Sequence, residues 1–177
     1  MLRSVVHSVL LRDLGAVRRS VEAYPDDASP WAEREGLPNA GGTLVLHLAG
    51  NLRHYVGAVL GGSGYVRDRP AEFARRGVSR AEMVAELDAA RDAVERGLAA
   101  LADDALVAPY PERIAGRTVA TGDFLVHLAV HLAYHLGQLD YHRRVVTGDP
   151  RSIGAVAAAE LPDRGHERAG LASRTES

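Results

Sequence analysis

The sequence predicts an all-α protein, a four-helix bundle with at least one long crossover. Three observations carry this prediction. Apolar residues recur with a helical rhythm over four long stretches, segments rich in Pro and Gly separate those stretches, and no alternating run is long enough to build a sheet. A chain of 177 residues supports one domain with one good core. The bundle is placed over 1–150, with a short helix and flexible tail over 151–177.

The first helix spans 2–23, with Val5, Val6, Val9, Leu10, Leu14 and Val17 along its apolar side. It stops at YPDDASP, where Pro25 and Pro30 prevent continuation. The second helix runs over 42–60 and ends at GGSG. The third begins at Ser79, which forms a Ser-x-x-Glu capping box with Glu82, and continues to about 101. The fourth starts near Thr121, read as its N-cap, and runs to 147, where Gly148 and Pro150 end it. The connection from 60 to 79 exceeds the roughly two to eight residues usual between antiparallel bundle helices. It is therefore read as a crossover that leaves the second and third helices parallel. Beyond Pro150 a short helix is placed over 155–160, and PDRGHERAGLASRTES reads as a mobile tail with His166 solvated.

Composition narrows the chemistry. The formal net charge of −2 gives no footprint for nucleic acid or an anionic membrane. No apolar run approaches the ~20 residues a bilayer span needs. The N-terminal stretch is amphipathic, interrupted by His7, Arg12 and Asp13, and does not resemble a signal peptide, so a cytoplasmic location is expected. The chain has no cysteine, which excludes thiolate nucleophiles, Cys-ligated zinc and iron–sulfur clusters. It also has no lysine, which excludes Schiff-base chemistry and the phosphate-loop lysine.

Function is concentrated in FLVHLAVHLAYHLGQLDYH. His127, His131 and His135 recur every four residues and fall within a sector of roughly 80° on a helix. Gln138 and His142 share that sector. Four of the chain's 8 histidines therefore lie on one helical face. The second helix carries its own polar stripe, His47, Asn51 and His54. A buried polar group costs roughly 1–3 kcal/mol unless it is paired, so a core tolerates two such stripes best when they face each other or share a ligand. If the two helices pack together, His47 meets His131 and His135.

Three neutral imidazoles plus a water make an open metal site of the catalytic type. An all-nitrogen set suits Zn²⁺ first, with Ni²⁺, Fe²⁺ or Co²⁺ as substitutes, one divalent ion per chain. Asn51, His54, His127, Gln138 and His142 are then candidates to orient the ligands or touch substrate. Asp123, one turn before His127, is a candidate to orient it. The plainer reading is a satisfied core histidine, which a lone His on an apolar face usually is; a comb facing a second stripe favours metal. Rival chemistries lack their motifs: there is no Glu-x-x-His, no His-Glu-x-x-His and no nucleophile elbow. The charged segment RDRPAEFARRG, over 67–77, reads first as a solvated loop. Its functional reading is an arginine-lined rim in which Arg67 and Arg69 recognise an anionic substrate or the carboxylates of a small thiol.

One histidine on the second helix followed by HLAYHLGQ on the fourth resembles the DinB-like (YfiT-like) superfamily of small bacterial metal-binding bundles. TLVLHLAGNLRHYVGAVLGG with RDRPAEF looks like an uncharacterised bacterial subgroup of it. The resemblance covers roughly 1–150 and implies an up-down-down-up bundle, a homodimer, and a divalent metal on His47, His131 and His135. His127 falls where many relatives have a histidine outside that triad. Many relatives have Arg after the last ligand, where this chain has Leu136. Characterised relatives include S-transferases of low-molecular-weight thiols such as bacillithiol or mycothiol, and a mycothiol-dependent isomerase. The expected function is therefore metal-dependent conjugation of a small thiol to an electrophile, with His54, His127 or Gln138 positioning the thiol or taking its proton. The alternatives are a hydrolase that activates water on the metal, and a non-catalytic, metal-stabilised bundle.

Overall fold

The computed structural model describes residues 2–153 and 158–162. Among the described residues there are five α-helices: α1 (Leu2–Glu22), α2 (Gly41–Leu52), α3 (Arg69–Ala74), α4 (Arg80–Ala100) and α5 (Thr121–Thr147). A π-helical turn, Arg53–Ala58, continues α2, and single 3-10 turns lie at Ser29–Trp31, Asp104–Leu106 and Ala158–Glu160. Among the described residues there are isolated β-bridges but no strand. The helix expected over 155–160 is described only at its end, as that last 3-10 turn; 155–157 and the tail over 163–177, His166 included, lie outside the described residues.

The ends of the helices follow local chemistry. Ser79 Oγ accepts the Glu82 N–H at 3.2 Å while Glu82 Oε2 accepts the Ser79 N–H at 3.0 Å, the capping box expected for α4. At α5 the N-cap is Ala120, not Thr121. The Thr121 hydroxyl instead donates to the Ala108 carbonyl at 3.1 Å and ties the helix start to the preceding loop. Gly148 ends α5 at φ +70°, a left-handed conformation that favours glycine.

Packing directions follow from specific contacts. Arg3 reaches the Leu98 carbonyl and Arg80 the Tyr24 carbonyl, so α1 and α4 are antiparallel. Tyr24 meets His142, and Leu2 lies beside Gly122, so α1 and α5 run parallel. Tyr55 packs on Phe124 and Gly41 sits against Leu139, so α2 and α5 are antiparallel. Gly57 faces Ala93 and Gly61 faces Gly97, so α2 with its π-turn runs parallel to α4. The order is up-down-down-up, with the crossover over 59–79. That crossover is not a plain loop: α3 forms within it, capped by Asp68, whose Oδ1 accepts the Ala71 N–H at 2.9 Å.

One apolar cluster fills the interior. Leu10 and Val17 of α1, Leu48 and Leu52 of α2, Met83 and Leu98 of α4, and Leu128, Leu132 and Leu136 of α5 are all buried in it. Each such side chain contributes roughly 1.5–3 kcal/mol on burial. The α2 continuation approaches α4 closely because Gly97 has no Cβ; one placed there would lie 2.4 Å from the Val56 carbonyl oxygen. No described helix is long and apolar enough to cross a membrane.

Candidate metal centre

The seam between α2 and α5 gathers three imidazoles at one level of the bundle. On α5, His131 and His135 are one helical turn apart and half-buried. His47, buried, approaches from α2. His47 Nε2 lies 3.4 Å from His131 Nε2, which lies 3.1 Å from His135 Nε2. One ligand atom from each of the three residues falls within 4.8 Å of the others. Zinc–imidazole bonds of 2.0–2.1 Å in a tetrahedron separate nitrogens by roughly 3.3 Å, so the spacing suits a single small ion.

The other ring nitrogens explain why the Nε2 atoms turn inward. His47 Nδ1–H donates to Glu72 Oε2 at 3.0 Å, and His135 Nδ1–H donates to Gln138 Oε1 at 2.7 Å. These acceptors assign the proton to Nδ1 and leave a lone pair on Nε2. Convergent lone pairs repel one another unless a cation sits among them, so the donor set fits a divalent metal. Burial, with the neighbouring His135 and His47, pushes the His131 imidazole down to about 4. It is therefore neutral at pH 7, the form a ligand needs. His131 Nδ1 is buried with no hydrogen-bond partner among the described residues.

Glu72 is the site residue that reading the sequence missed. It lies in α3, nearly fully buried, and Arg67 grips it with Nε at 2.6 Å from Oε1 and Nη2 at 2.8 Å from Oε2. Burial alone raises a carboxyl, but the hydrogen bonds from Arg67 and His47 outweigh it and hold Glu72 below its usual range. Gly50 makes the room, since a Cβ there would lie 2.1 Å from Glu72 Oε1. A signal existed: ligand histidines commonly donate their far N–H to a carboxylate, and RDRPAEF supplies one.

The remaining candidates fall around this centre. The Arg67 guanidinium is taken up by Glu72 and lies 3.3 Å from His47 Nδ1, so it braces the centre from behind. Arg69 is exposed and stands over Phe73, whose ring packs 5.1 Å from that of His47. His127 is exposed, stacked on Phe124, with its ring 6.2 Å from His131. Asp123 is exposed and makes no hydrogen bond to it. His54 lies two turns beyond His47, roughly 10 Å along the axis, and pairs with Glu112 at 3.2 Å. Asn51 is buried one turn from His47, with no hydrogen bond to the triad. His142 is structural: its Nε2–H donates to the Ala32 carbonyl at 2.9 Å and Nδ1 accepts from the Tyr24 hydroxyl at 2.6 Å.

Fold and site together define an all-α bundle with a three-histidine centre that could hold a metal ion. The sequence model of the DinB superfamily matches residues 10–139, a span that includes all three histidines, and the chain belongs to that superfamily. No curated protein and no solved structure matches the chain.

Proposed function

We propose that this chain binds one divalent metal ion on His47, His131 and His135 and conjugates a low-molecular-weight thiol to an electrophile. The observation that carries the metal is the convergence of three Nε2 atoms, two of them backed by acceptors on Nδ1. Zn²⁺ is the first choice for an all-nitrogen set, with Ni²⁺, Fe²⁺ or Co²⁺ as substitutes. Such an ion, bound by only three protein ligands, supplies a Lewis acid that lowers the pKa of a thiol.

The chain's own residues supply the rest. Glu72 and Gln138 hold two ligand rings in the required tautomer, and the Arg67 ion pair keeps Glu72 charged. His127, exposed on the rim one turn from His131, accepts the proton that the thiol releases. Without a cysteine, no protein thiol competes for the centre. The superfamily membership supports this choice of reaction, because the superfamily that the motif resembles includes transferases of small thiols.

The test is a conjugation assay with Zn²⁺-loaded protein, a small thiol and a panel of electrophiles. Turnover that needs the thiol and disappears in His131→Ala supports the reading. Turnover that survives chelation removes the metal, and turnover without thiol points to hydrolysis instead.

A further inference from the structure

A groove of about 400 Å³ opens beside the histidine centre, between residues 37–39 and the outer side of α5. Leu37 and Pro38 form one wall; Tyr134, Gly137, Gln138 and Tyr141 form the other. No Asp, Glu or Arg lines it. Tyr134 and Tyr141 are each 64% exposed, large aromatic surface left open to water. Two of these residues also touch a candidate ligand: Tyr134 lies edge-on to His135, with centroids 5.2 Å apart, and Gln138 accepts the His135 Nδ1–H.

Gly137 is informative because nothing in the packing calls for it. It lies well inside a 27-residue helix, where glycine is unfavourable, and a Cβ built on it would meet no atom within 4 Å. Its consequence is local: any side chain there would project into the groove. From this set we infer that the groove binds the aromatic body of an uncharged small molecule, lying against the two tyrosines above Gly137. The lining residues carry no formal charge, although the Arg144 guanidinium stands 5.1 Å from the centre of the Tyr141 ring, and the volume suits one small ligand better than a peptide helix. The assignment deepens the proposed function by giving the electrophile a class, a neutral aromatic compound whose ring lies next to His135. It rests on that reading for catalysis but not for binding.

The experiment titrates the protein, metal-free and Zn²⁺-loaded, with phenylnaphthylamine, an uncharged diaryl fluorophore. Saturable binding of one probe per chain is expected in both forms and in His131→Ala. Gly137→Trp should weaken it by at least roughly tenfold while keeping metal content and without lowering melting temperature. In Co²⁺-loaded protein the probe should shift the visible absorption of the ion, because the groove touches His135. Lack of saturable binding, or equal binding by Gly137→Trp, overturns the inference. So does a wild-type dimer that excludes the probe and that Gly137→Trp dissociates, since a second copy then covers the groove. Probe binding by a protein that takes up no metal would sink the proposed function and leave the groove assignment standing.

Discussion

Glu72 Oε2 accepts the His47 Nδ1–H at 3.0 Å, although the two residues sit on different helices and 25 positions apart. The crossover is therefore a structural part of the centre. Replacing Glu72 by Gln removes the charge that Arg67 neutralises and weakens the hold on the His47 ring. Metal affinity should fall roughly 10- to 100-fold, read by competition with a chelator. The metal-free variant should also lose about 1–3 kcal/mol in denaturant unfolding, because the half-buried Arg67 keeps no counter-charge.

Gly50→Ala tests the same relationship from α2. Helix propensity alone predicts a gain of about 1 kcal/mol for this change. The added methyl would sit 2.1 Å from Glu72 Oε1, so the carboxylate must leave its place. Weaker metal binding with no gain in melting temperature is the expected outcome. A more stable protein with unchanged affinity would show that Glu72 does not depend on that space.

The centre and its surroundings also set a pH response. His131 is pushed down to about 4 from 6.5, and burial lowers His135 and His142 in the same direction. A lowered histidine takes up its proton in the unfolded chain first, so its stability contribution is complete above pH 6.5 and is lost as pH falls toward 4. Metal-free wild type should lose melting temperature across that window, and His131→Ala should lose less. Equal slopes would contradict the assignment.

The helices and the His131–His135 pair were legible because both depend on periodicity within single helices, whereas His47 needed a second polar stripe on another helix that packs against them. His131 and His135 need only four-residue spacing, and Ser79 with Glu82 needs only three. What escaped was non-local. Glu72 stands in a run of charges that reads as solvated surface, and nothing in that run shows that Gly50 opens a place for it. The same blindness left Arg67 in a solvated loop or on a substrate rim, whereas its guanidinium is closed by Glu72. His54 lies two turns from His47, as its spacing implies, but its partner Glu112 comes from a distant loop that the spacing does not show.

Core and centre should separate on mutation. Leu132 is buried between the ligands' turns of α5, facing the interior. Leu132→Ala should cost about 2–5 kcal/mol of stability, measured by urea unfolding, with metal stoichiometry unchanged. Loss of metal with little loss of stability would place Leu132 in the wrong role.

The most direct test of the central claim is elemental analysis by plasma mass spectrometry of tag-free protein, wild type beside His131→Ala. The account predicts about one divalent metal per wild-type chain and none in the variant. Wild-type protein that carries no metal and fails to take up added Zn²⁺ or Ni²⁺ would contradict it, and the histidine comb would then be a polar feature of the core.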